Sequence, residues 1–174
     1  IGFVKTETQK AIKKNDINVA RYHAYKAIKA IDKSDVIILS FWDLYTSLLP
    51  NLLSDWISDA IKNNKDARVI YFCNLMTKPG ETTNFELIDF IDTVEKYLWT
   101  WIIDTVIVNN GYISDDMAEK YKKLENKSPV KLKVHETIKN KSYQVLERDL
   151  LHENAFIRHS FEKIAKVIDE IIKA

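Results

Sequence analysis

Three short apolar runs punctuate the chain: Val36-Ile37-Ile38-Leu39, Val69-Ile70-Tyr71-Phe72 and Thr105-Val106-Ile107-Val108. Each is too short for a helix given its polar flanks. Their unbroken apolar character predicts strands covered on both faces, as in a parallel sheet. Between them, apolar residues recur at helical spacing. Tyr25, Ile28 and Ile31 predict a helix from Arg21 that ends before Ser34-Asp35. Pro50 suits a first helical turn, where its missing N–H costs nothing, and Leu53, Trp56, Ile57, Ala60 and Ile61 then form one stripe. Thr82 or Thr83 is placed to cap a helix through Leu98, with Ile88, Ile91, Val94 and Leu98 inward. Ser114 caps a charged helix to about Lys123, and Ser160 caps a last one facing inward through Phe161, Ile164, Ala165, Ile168, Ile171 and Ile172. Shorter strands are expected at Phe3-Val4-Lys5-Thr6-Glu7, at Ile17-Asn18-Val19, from Pro129-Val130, and at Tyr143-Gln144-Val145-Leu146.

Strand–helix alternation of this kind predicts a single α/β domain over residues 1–174: a Rossmann-like three-layer sandwich with a mainly parallel sheet and helices on both faces. At 174 residues the chain can bury a sizeable core, in which the four tryptophans are most simply placed. Its 26 Lys and Arg against 25 Asp and Glu give no basic field, which argues against nucleic acid as a partner. No apolar run has the length of a membrane span, and no basic-then-apolar leader opens the chain, so a cytoplasmic protein is expected. The lone Cys73 ends a strand and reads as a core thiol.

Ligands in α/β folds sit beyond the carboxyl ends of strands. Thr46, Ser47, Asn74, Thr77 and Thr82 fall at two such ends, as neutral hydrogen-bonding groups suited to phosphates or sugar hydroxyls. Their plain alternative is to cap helices and satisfy turns. Asn109 and Asn110 close the third strand and point at the same crevice, although Asn110-Gly111 is also an ordinary turn pair. Asp35, Asp43 and Glu81 are the carboxylates expected nearest the crevice. Their spacing does not demand a metal.

The segments Leu44-Tyr45-Thr46-Ser47, Pro50-Asn51-Leu52-Leu53 and Cys73-Asn74-Leu75-Met76-Thr77-Lys78-Pro79-Gly80-Glu81-Thr82 occur here in a particular order. They are followed by Ile103-Asp104, Val108-Asn109-Asn110, Tyr121-Lys122 and Arg158-His159. The series resembles the YvcK proteins (gluconeogenesis factors) and the related CofD-type 2-phospho-L-lactate transferases, from about Ile31 to the end. The resemblance implies the C-terminal portion of such a protein, without the Gly-rich turn that opens family members. It further implies ligand-binding roles for the Asn109-Asn110 pair, for Tyr121 stacking on a base, and for Arg158 clamping a diphosphate. No catalytic residue and no resident metal is assigned, and magnesium is left open as a companion of the nucleotide-sugar. A homodimer is also left open.

The chain departs from the family at one loop. Where relatives carry Gly-Pro-Gly-Ser, it has Ser40-Phe41-Trp42-Asp43, which cannot easily take positive φ and adds a negative charge. Phe161 stands where some relatives carry a hydroxyl residue. Three functions follow from the resemblance. The first is a cytosolic UDP-sugar-binding regulator of carbon metabolism and cell-wall or cell-shape control. The second is a 2-phospho-L-lactate transferase. The third is a degenerate member acting through protein contacts.

Overall fold

The computed structural model describes residues 17–99, 101–134, 142–152 and 156–173. Helix α1 (Ile17–Asp32) leads into β1 (Val36–Leu39). A π-helical turn at Leu44–Leu48 then runs into the short α2 (Leu49–Leu52) and on to α3 (Asp55–Asn63). After β2 (Arg68–Phe72) come α4 (Leu87–Leu98), β3 (Thr105–Asn109) and α5 (Asp115–Glu125), then β4 (Gln144–Arg148) and α6 (Phe161–Lys173). The strands pair in chain order, β1-β2-β3-β4, all parallel, with Leu39 beside Tyr71, Phe72 beside Ile107 and Asn109 beside Arg148.

The period-two alternation of strand side chains divides the core. Ile37, Leu39, Val69, Tyr71, Val106 and Val108 pack against residues of α2, α3 and α4. Ile70, Phe72 and Ile107 point the other way and meet Ile164, Val167 and Ile171 of α6. The parallel α/β sandwich expected from the three apolar runs is what forms. No helix among the described residues is long and apolar enough to cross a membrane.

Several local expectations change. Residues 17–19 begin α1 and are not a strand, while the strand expected at 3–7 lies outside the described residues. The stripe after Pro50 is broken because Ser54 takes an extended backbone (φ −80°, ψ 111°) and restarts the helix. Leu53 and Trp56 therefore face solvent, and only the Ala60 and Ile61 end of the stripe is buried. The cap of α4 is Glu86, four residues past Thr82, where Glu86 and Asp89 form a reciprocal capping box. Residues 129–131 make isolated bridges to Met76 and Glu86 and no strand. In α6 the buried face is Ile164, Val167 and Ile171, so Phe161, Ala165 and Ile172 are exposed.

None of the four tryptophans is in the core: Trp42, Trp56, Trp99 and Trp101 are each close to two-thirds exposed. Trp99 and Trp101 follow the end of α4 with φ of 72° and 77°. That left-handed backbone turns the chain away from the helix's inward stripe. Lys62 Nζ lies 4.0 Å from the Trp99 ring centroid, a cation–π contact at the surface.

Candidate functional site

The segment from Cys73 to Glu86 leaves the carboxyl end of β2 and organises the ground above the sheet. Asn74 reaches sideways to the loop after β1, its Nδ2 donating to the carbonyls of Phe41 (3.3 Å) and Trp42 (3.2 Å). Its Oδ1 is buried with no hydrogen-bond partner among the described residues. Thr77 is buried against Ser128: its N–H donates to the Ser128 carbonyl (2.8 Å), and its hydroxyl accepts from the Ser128 N–H (3.0 Å). Thr82 closes the turn that follows, its hydroxyl accepting from the Lys78 N–H at 2.8 Å. Gly80 sits at φ 77°, so a turn of this shape wants glycine there.

Beside this segment lies a first cleft of about 490 Å³ over the ends of β1 and β2. Asn74, Thr77, Thr82, Tyr121 and Arg158 all reach its wall. The Tyr121 hydroxyl accepts from the Ile157 N–H (3.2 Å) and so fixes the strand of chain that carries Arg158. Three cations line the cleft. Lys78 is held by Asp43 (2.8 Å) and Glu81 (2.6 Å), which raise its pKa, Asp43 most. Lys127 pairs with Glu125 at 2.6 Å. Arg158 has no ion pair among the described residues, and its guanidinium carbon stands 5.6 Å from the Phe156 ring centroid.

Behind Arg158, His159 stacks on Phe41 with ring centroids 3.6 Å apart. Burial pushes the imidazole down to about 4, opposed by a hydrogen bond to the Cys73 backbone. His159 is therefore neutral at pH 7, and its Nε2 is buried without a partner among the described residues. Burial also pushes the Cys73 thiol up to about 12, so the core-thiol reading fits its surroundings.

A second cleft of about 470 Å³ lies over the ends of β2 and β3 and shares Asn74 and Leu75 with the first. Asn109 and Asn110 are in its wall. The Asn109 side chain is consumed by the fold: its Oδ1 accepts from Gly111 (3.2 Å) and Leu150 (2.9 Å), and its Nδ2 donates to the Gly111 carbonyl (3.0 Å). Asn110 is exposed, with its backbone N–H on the Arg148 carbonyl at 3.0 Å.

Seven of the nine residues singled out from sequence therefore line these two clefts. Thr46 and Ser47 line neither, because the π-helical turn carries Thr46 to the surface and half-buries Ser47. Asp35 is not near the crevice. It precedes β1, at the amino end of the sheet, where its carbonyl accepts from Arg68. Lys78 and Lys127 also line the first cleft and are not among the residues that the sequence singles out. Lys78 stands inside the turn motif, where its position is a local signal, whereas Lys127 carries none. Among the described residues no group of three or more His, Cys, Asp or Glu is arranged to hold a metal.

The model of the family described as 2-phospho-L-lactate transferase CofD matches residues 3–151. The gluconeogenesis factor of Bacillus subtilis is 32% identical over 149 residues, covering 85% of this chain and 46% of that protein. That of Halalkalibacterium halodurans is 37% identical over 150 residues, covering 83% of this chain and 44% of its own. A crystal structure of a Bacillus halodurans protein of the UPF0052 family superposes with a TM-score of 0.76 at 34% identity, covering 82% of this chain and 45% of the other. The chain thus spans just under half the length of these relatives.

Proposed function

The chain belongs to the CofD family, and from that premise we propose that it is a cytosolic regulatory protein that binds nucleotide-sugars of the UDP-sugar class. Its setting is carbon metabolism, the sense of the name its relatives carry, with the cell-wall or cell-shape link that the sequence resemblance implies. The observation that carries this reading is Arg158. It is an arginine without a carboxylate among the described residues, on the wall of a cleft shared with Thr77, Thr82, Tyr121 and Asn74. A guanidinium so placed is free to take a diphosphate through paired hydrogen bonds. Magnesium would arrive with the diphosphate. The two nearby carboxylates do not fit a resident ion, since Asp43 and Glu81 both hold Lys78. Calorimetric titration of the intact chain with UDP-glucose tests the reading, and saturable binding in the micromolar range supports it. Absence of heat, and of competition with UDP, would end it.

Two observations favour other readings. The description of the matching family model favours 2-phospho-L-lactate transfer, which product formation from donor, acceptor and magnesium would establish. The exposed tryptophans favour a surface that works through protein contacts.

A further inference from the structure

The two clefts have nearly the same volume but opposite chemistry. The first carries Lys78, Lys127 and Arg158 on its wall, against the one carboxylate Asp43, which is paired with Lys78. The second has no cation, and its ionisable wall residues are Tyr112 and Asp115. Asp115 sits in the first turn of α5, beside the positive end of the helix dipole, and it has no ion pair among the described residues. The walls below are apolar, formed by Leu75, Ile113, Pro129 and Val130. Tyr112 stands 82% exposed at the mouth, an aromatic face left to water. Asn109 is hydrogen-bonded to the chain on both ends of its amide, so reading a ligand falls to its neighbours.

We propose that the second cleft seats the uncharged, hydrogen-bond-donating end of the same ligand whose anionic end enters the first. The inference rests on the nucleotide-sugar reading above and adds a polarity to it. The Tyr112 ring covers the flat or apolar face of the incoming group, and Asp115 accepts from its N–H or O–H donors. Asn74, the polar residue common to both clefts, stands at the joint between the charged and uncharged halves. An anion is kept from the second cleft by Asp115 and drawn to the first by Arg158. A nucleotide base and a hexose both satisfy this chemistry, and the test separates them.

The experiment titrates the intact parent chain, Tyr112→Ala and Asp115→Asn with UDP-glucose, UDP, glucose 1-phosphate and inorganic pyrophosphate. Each variant should weaken UDP-glucose about fivefold to thirtyfold, the scale of one charge-assisted hydrogen bond or one stacking contact. Pyrophosphate should stay within about twofold. If UDP weakens along with UDP-glucose, the base occupies the second cleft. If glucose 1-phosphate weakens and UDP does not, the sugar does, and either pattern supports the assignment. Variants that bind UDP-glucose as the parent does would overturn it while leaving the nucleotide-sugar reading intact. A pyrophosphate loss equal to the UDP-glucose loss would also overturn it, because the effect would then be general. A parent that binds no UDP-glucose removes both.

Discussion

The Phe41 ring lies over the His159 imidazole, with centroids 3.6 Å apart and planes 25° from parallel, and Phe41 also meets Phe72 edge to face. The loop after β1 is thereby tied to the segment before α6 across the mouth of the first cleft. Burial sets the protonation of His159. An imidazole without a partner for Nε2 is held neutral because its cation would be desolvated.

A pH dependence of stability follows. The pKa of His159 is pushed from 6.5 to about 4 in the folded chain, so between those values the unfolded chain takes up the proton. The His159 contribution should be flat from about pH 7 to 8, and stability should fall as pH drops from about 6.5 toward 4, by up to roughly 3 kcal/mol. Asp149, held below the carboxylate range by Lys163, loses its contribution only below its ordinary 3.8, so the two windows separate. Urea midpoints measured from pH 4 to 8 on the parent and on His159→Phe check this. An identical slope in the variant assigns the effect elsewhere.

Arg158→Ala should weaken nucleotide-sugar binding by about tenfold to a hundredfold, equivalent to roughly 1.5–3 kcal/mol for a charge-assisted contact. Its side chain is exposed, and among the described residues its one side-chain contact is the cation–π contact with Phe156, so the melting curve should not move. An unchanged dissociation constant with normal melting would take Arg158 out of the site.

Asn109→Ala should act on the fold first. Its amide joins the end of β3 to Gly111 and to the fully buried Leu150, so truncation leaves two backbone N–H groups without their acceptor. A loss of about 2–4 kcal/mol in denaturant stability is expected. Preserved stability with lost binding would instead make Asn109 a ligand contact.

The three apolar runs were enough to read the sheet, because a strand covered on both faces leaves no room for polar residues. The strand ends followed from that, and with them Asn74, Thr77, Asn109 and Asn110. What stayed hidden is tertiary. Nothing local tells that Ser54 will restart a helix and turn Trp56 outward, or that a left-handed backbone will expose Trp99 and Trp101. The neutralisation of Asp43 by Lys78, 35 residues later, is equally invisible to spacing. The hidden pairs are those that act across loops.

That last pair revises the expected effect of residues 40–43. From sequence, Asp43 brings an uncompensated negative charge to the place where relatives hold an anion. In the folded chain its carboxylate is 2.8 Å from Lys78 Nζ and half exposed, so most of the repulsion is already cancelled or screened. Asp43→Asn should therefore tighten UDP-glucose binding only about twofold to fivefold, by freeing Lys78 from one of its two carboxylates. Replacing residues 40–43 by Gly-Pro-Gly-Ser has a second consequence. It removes the Phe41 ring from both His159 and Phe72, a half-buried aromatic whose loss should cost about 2 kcal/mol of stability. The loop replacement should gain more affinity than Asp43→Asn and melt lower, whereas Asp43→Asn should melt near the parent. Calorimetry and thermal melts on the two variants measure both quantities. If the loop replacement binds no better than the parent, residues 40–43 are a structural plug whose conformation the ligand never senses.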